Sequence, residues 1–206
     1  MTATITQEMT DEFPILGNQL TLDFLNTEVV VDGKLTELLP DATRLAAWLG
    51  AVGLLTSSQS SQLAQAWAHR DASGMERLWE LRDSLRSAIL QVESGKPVPQ
   101  ALLDLLNRLL LEFPRTDELV RSGSGLARHP RFAPKSENDV LGVLASSAAD
   151  LLTSVPADKI RKCKGCVCHF YDTSKKGARI WCSIALCGNR AKVAAFALRN
   201  KAERKA

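Results

Sequence analysis

Five cysteines crowd into the last quarter of this chain, at Cys163, Cys166, Cys168, Cys182 and Cys187, and the first 162 residues contain none. The number is odd. The spacing is C-x2-C, then fifteen residues, then C-x4-C, which suits thiolate ligands of a metal better than a disulfide framework. Zinc takes four such ligands in a tetrahedron, and a C-x2-C turn brings two thiolates to one side of a tight knuckle. The expected ligands of one structural zinc ion are Cys163, Cys166, Cys182 and Cys187. Cys168 then reads as a small buried filler or a free thiol and His169 as a surface side chain, although both also lie within reach of the knuckle as alternative ligands, Cys168 in place of Cys166. A redox pair at Cys163 and Cys166 is the rival reading, but such a pair does not require the second one.

Charge divides the chain at the same place. Residues 1–158 hold 13 Lys and Arg against 21 Asp and Glu, a net of −8, whereas residues 159–206 hold 13 basic residues against Asp172 and Glu203, a net of +11. A basic module is thus carried by an acidic body, and a concentrated positive field attracts phosphate backbones, anionic lipid or acidic protein. No apolar run approaches the roughly 20 residues needed to cross a bilayer. The first residues also lack the basic start and apolar centre of an export signal, so the expected location is the cytoplasm, with no membrane partner.

Apolar spacing over the body predicts helices. Leu45, Trp48, Leu49, Val52 and Leu55 form one buried stripe over 42–55, and Leu78, Leu81, Leu85, Ile89 and Val92 form another, stopped by Gly95 and Pro97. Residues 101–113 make a leucine-rich helix ended by Pro114, and 138–153 a further one through Leu141, Leu144, Ala148 and Leu151. The stretch 117–132, with Gly123 and Gly125 between short apolar segments, reads as a hairpin. Leu20 to Leu25 and Val29 to Val31 fit a short helix or strand near the core, Ser57 to Ser61 a polar connection, and 61–70 another helix. The fold class is α+β, mainly α: a loose leader over 1–12, a mainly helical domain over 13–157 carrying the small hairpin, and a four-cysteine module over 158–206.

Within that module, His169 to Asp172 and Arg179 to Trp181 read as two short strands joined through Thr173 to Ala178. Ser183 is a suitable helix cap, and Cys187, one turn later, faces the metal from the start of a helix running through Lys201. Knuckle, hairpin and helix make a treble-clef-like zinc finger. On the final helix Val193, Phe196 and Ala197 are expected to pack on the finger.

Phe170-Tyr171-Asp172-Thr173-Ser174-Lys175, Trp181-Cys182-Ser183 and Cys187-Gly188-Asn189-Arg190-Ala191-Lys192 resemble the CGNR zinc finger family. Leu22-Asp23-Phe24-Leu25-Asn26-Thr27, followed by Leu45 to Leu49 and Gly53, looks like the ABATE domain that precedes this finger in that family. The first cysteine pair departs from the family pattern, being separated by two residues where four are usual. The resemblance implies a stress-induced transcription regulator.

Lys175, Lys176, Arg179, Arg190, Lys192, Arg199 and Lys201 are the candidate nucleic-acid contacts, within a field that includes Lys159, Arg161, Lys162, Lys164, Arg204 and Lys205. Arg190 either reads bases or braces the finger through carbonyls or Asp172. DNA is the expected partner, and docking on acidic protein the alternative. An enzyme is not expected: four cysteines leave a zinc ion no open position, and His69 and His129 stand alone with no H-x-x-x-H pair, phosphate loop or nucleophile elbow. Asp23, Asn26 and Thr27 are candidates for a ligand pocket, or else are caps and buried hydrogen-bonders. The helical domain is expected to sense a small-molecule effector or to form a homodimer.

Overall fold

The computed structural model describes residues 13–203 apart from 32 and 71; the leader expected over 1–12 lies outside them. Seven α-helices and three two-stranded antiparallel sheets make up the described residues, an α+β, mainly α architecture as expected. Helix α1 (Leu20–Leu25) runs through the middle of the body with Leu22, Phe24 and Leu25 buried. Gln19 caps it by accepting from the Leu22 N–H at 3.2 Å, and the same side-chain amide donates to the Ser147 carbonyl at 2.7 Å. A hairpin of β1 (Glu28–Val31) and β2 (Lys34–Glu37) follows, with Val29 and Val31 turned inward.

Helix α2 (Ala42–Ala51) starts at Asp41, whose carboxylate accepts the Arg44 N–H, and buries Leu45, Trp48 and Leu49. It ends four residues before Leu55, because Gly53 takes φ +77° and turns the chain away. Helix α3 (Ser57–Trp67) corrects the expectation of a serine connection. Thr56 accepts the Gln59 N–H while the Gln59 side chain accepts the Thr56 N–H. This reciprocal cap starts the helix at the serines themselves, and Trp67 is its one buried residue.

The long helix α4 (Glu76–Glu93) follows a 3-10 turn and presents Leu78, Leu81, Leu85 and Ile89 to the core. Helices α5 (Gln100–Glu112) and α6 (Asp139–Ser154) complete the body. They approach closely at Gly142, where an added Cβ would come within 2.5 Å of the Phe113 Cβ. Between them stands the expected hairpin of β3 (Thr116–Ser122) and β4 (Gly125–Arg131). Complete burial of each of these leucines contributes about 1.5–3 kcal/mol, and the main core also takes in Ile160, the first residue of the next strand. The cysteine module is therefore rooted in the body's core. No helix among the described residues is long and apolar enough to cross a membrane.

Candidate metal centre and its basic helix

Strand β5 (Ile160–Lys162) leads into the cysteine knuckle and β6 (His169–Tyr171) leads out of it, paired as Ile160 with Tyr171 and Lys162 with His169. The hairpin of the module is therefore the knuckle itself. The expected pairing of residues 169–172 with 179–181 is not formed: residues 179–181 are irregular and attach to the knuckle through the Lys164 N–H, which donates to the Ile180 carbonyl at 3.0 Å. Strand β6 is already paired with β5 on one side, and on the other the Tyr171 N–H donates to the Gly17 carbonyl at 2.7 Å.

The thiols of Cys163, Cys166, Cys182 and Cys187 are all buried and lie within 4.8 Å of one another. Cys182 Sγ is 3.6 Å from Cys166 Sγ and 3.7 Å from Cys187 Sγ. A tetrahedron of Zn–S bonds of about 2.3 Å has sulfur–sulfur edges of about 3.8 Å, so the four residues fit one structural zinc ion. N–H groups point at the same sulfurs: those of Gly165 and Cys182 reach Cys163 Sγ at 3.4 and 3.3 Å, and Arg190 Nη2 reaches Cys187 Sγ at 3.2 Å. Such donors offset the negative charge that four thiolates around one divalent ion leave behind. Cys168 is buried beside Cys166 and Cys182 but outside the group of four, and its carbonyl closes the knuckle by accepting the Cys163 N–H at 2.9 Å.

Each segment that carries the family resemblance has a structural task here. Asp172 accepts the Ser174 N–H and the Arg179 N–H, both at 2.9 Å, and so sets the loop between them. Against the burial that raises its pKa, those hydrogen bonds and the nearby Lys159 charge hold the carboxyl down at about 2. Trp181 packs on the cysteines, and Gly165 lies under its ring, where a Cβ would come within 3.1 Å. Ser183 accepts the Leu186 N–H and opens a π-turn, Ile184–Gly188, that delivers Cys187 to the metal before α7 (Asn189–Glu203) begins.

The module is clamped to the body through the segment Leu22 to Thr27. Asn26 makes a two-pronged, strand-like contact with β6, its Oδ1 accepting the His169 N–H at 2.8 Å and its Nδ2 donating to the His169 carbonyl at 3.0 Å. Thr27 donates to the Phe24 carbonyl and accepts from Arg82, which is itself paired with Glu37. Asp23 accepts the Gly17 N–H at 2.7 Å; burial pushes its carboxyl up to about 6 in spite of that bond and one from Leu16. All three side chains are buried in internal hydrogen bonds. The wide groove of about 830 Å³ beside α5, α6 and the hairpin stem is lined by Phe113, Arg131, Phe132 and Lys135 among others, and by none of the three.

His169, expected at the surface, is buried. The same Asn26 clamp that holds its backbone turns the ring inward, where Nε2 lies 3.8 Å from Glu93. Burial, with the charges of Lys162 and Arg86, lowers its pKa to about 4, leaving the ring neutral at pH 7.

The candidate nucleic-acid residues separate into two groups. Arg179 is committed to the fold: its guanidinium lies over the Phe170 ring at 4.7 Å and donates to the Trp181 carbonyl at 2.9 Å and to that of Cys182. Arg190 is directed to the cysteine cluster, its Nη2 reaching Cys187 Sγ. Lys175, Lys176, Lys192 and Arg199 are exposed, as are Lys162 and Lys164. The side chains of Lys201, Arg204 and Lys205 lie outside the described residues. Val193 and Phe196 do not pack on the finger; they are 68% and 57% exposed, and Ala197 is exposed with them. Phe170, Leu16 and Trp181 already cover the cysteine cluster, so α7 projects with Lys192, Arg199 and these apolar residues in solvent.

Comparison with curated proteins finds no match. Residues 159–200 match the CGNR zinc finger model. Residues 18–155 match the ABATE model, described as "Putative stress-induced transcription regulator"; the chain belongs to the ABATE family and ends in a CGNR zinc finger.

Proposed function

We propose that this protein is a cytoplasmic, zinc-dependent DNA-binding regulator in which the finger carries α7 as its nucleic-acid-contacting element and the ABATE domain senses a signal or dimerises. The observation that carries this reading is α7 itself, fifteen residues in which Lys192, Val193, Phe196 and Arg199 are exposed, with no covering element among the described residues. Such a helix is about 22 Å long, and its diameter of about 10–12 Å fits the width of about 12 Å of a DNA major groove. Lys192, Phe196 and Arg199 recur at steps of four and three and share one face. Lys162, Lys164, Lys175 and Lys176 extend the positive field, while the body's net negative charge repels the duplex and would orient the finger toward it. Four thiolates leave the ion no open position for substrate or water, so its task is to fold the finger and not to catalyse.

Fluorescence anisotropy with a labelled random duplex tests the electrostatic part. If about six exposed cations reach phosphates, affinity should fall about a thousandfold between about 50 and 200 mM salt. Zinc-loaded protein with no salt-sensitive affinity for duplex or single strand contradicts the reading. The exposed Val193, Phe196 and Leu198 favour one alternative, a finger that docks on acidic protein. Partners that survive nuclease treatment in a pull-down would support that alternative.

A further inference from the structure

The hairpin β3–β4 has one edge closed to further pairing and one edge open. Ser122 and Gly125 flank a two-residue turn whose first central residue, Gly123, has φ +57°. They therefore form the hydrogen-bonded pair that closes the hairpin, and hydrogen-bonded pairs alternate from there: Val120 with Ala127, Glu118 with His129, Thr116 with Arg131. The remaining residues point their N–H and C=O groups outward. On β4 these are Leu126, Arg128 and Pro130, and proline has no N–H to offer, which blunts that edge. On β3 they are Asp117, Leu119 and Arg121, all able to donate and accept. Nothing among the described residues bonds to these three backbone positions outside the hairpin.

The open edge is self-complementary. When two β3 strands run antiparallel about a two-fold axis at Leu119, Leu119 faces Leu119 of the second copy, and Asp117 on each side faces Arg121 of the other. All three positions fall on outward-bonding residues, so this register satisfies the backbone as well as the charges. It also places Leu119 and Leu126, which are 72% and 69% exposed and share one face, in a continuous apolar stripe across four strands. An equivalent pairing of β4 with β4 about Arg128 would lack the proline donors and set Arg128 against Arg128 of the second copy. Charge complementarity and edge chemistry thus select both the strand and the occupant.

We propose that β3 is a homodimerisation edge, joining two copies of this chain into a four-stranded sheet centred on Leu119 with reciprocal Asp117–Arg121 pairs. The proposal makes specific the dimerising task offered above for the ABATE domain, yet it does not depend on nucleic acid: a chain that binds no DNA can still pair by this strand, and a monomer can still bind. The test is sedimentation velocity of the full zinc-loaded chain over about 1 to 100 μM, the range in which an interface of modest size dissociates. The wild type should reach twice the 22.5 kDa protomer mass. Asp117→Arg and Arg121→Asp should each weaken the dimer about tenfold or more by setting like charges opposite each other twice per dimer. The double variant restores opposite charges and should recover most of the affinity. Leu119→Asp, which places two carboxylates on the axis, should leave a monomer with unchanged circular dichroism and zinc content. A wild type that is monomeric throughout, a dimer indifferent to the single reversals, or single losses that the double variant fails to rescue would each overturn the proposal.

Discussion

Asn26 joins the two parts of the molecule with one side chain. A residue that both donates to and accepts from the backbone of His169 imitates a neighbouring strand, and only an amide of this length does so at a buried position. Asn26→Leu leaves the His169 N–H and C=O buried without partners, which costs about 2–4 kcal/mol. Denaturant unfolding should show that loss, and hydrogen exchange should place it at His169 to Tyr171. Asp23 gives a second prediction, in pH. Its folded pKa of about 6 stands above the ordinary aspartate value of 3.8, so the native state holds a proton that the unfolded chain releases. The sign follows: this contribution to stability is full below about pH 4 and is lost as pH rises through about 6, amounting to roughly 3 kcal/mol. A carbon-detected titration should find one aspartate with a midpoint near 6, and Asp23→Asn should remove that slope from the stability profile. A midpoint near 4 would contradict the assigned environment.

The long helices were legible because their leucines repeat at three and four residues over more than two turns, enough to outweigh any local ambiguity. Shorter elements were not. The start of α3 depended on a Thr56–Gln59 cap inside a serine-rich stretch that carries no apolar stripe, and the capping pattern was the signal that would have found it. In the finger, the grouping of Cys163, Cys166, Cys182 and Cys187 could be read from cysteine spacing, whereas the partner of β6 could not, because it is fixed by contacts with Gly17 and Asn26 about 150 residues away. The zinc knuckle draws much of its folding energy from the ion. Cys182→Ser should therefore lose the metal and unfold the finger while the body's helices persist, whereas Cys168→Ser should keep one zinc per chain; metal analysis with circular dichroism decides both. At the α5–α6 contact, Gly142→Ala forces a methyl against Phe113 Cβ and carbonyl oxygen at 2.5 and 2.7 Å. The helices must part, and despite the better helix former the net cost should be about 1–3 kcal/mol in thermal or chemical unfolding.

At the scale of the whole molecule, the split in charge marked the division of labour, since a net of +11 on the last 48 residues needs no fold to be seen. Which of those cations are free was hidden, because a spacing does not tell a solvent-facing arginine from one that holds carbonyls or thiolates. Arg179 and Arg190 proved to be internal braces of the finger, and Lys192 and Arg199 remain exposed on α7. The exposed Val193 and Phe196 were equally hidden, for an amphipathic pattern says only that something apolar is near and not whether it belongs to the same chain. The measurement that tests the central claim most directly is enrichment of fragmented genomic DNA on the zinc-loaded protein at near-physiological salt, beside a Lys192→Ala, Arg199→Ala variant that leaves both internal arginines in place. A DNA-reading regulator predicts a discrete set of enriched fragments that the variant loses while it keeps its zinc and its fold. Uniform or absent enrichment, or the same fragments retained by the variant, would contradict α7 as the reading element.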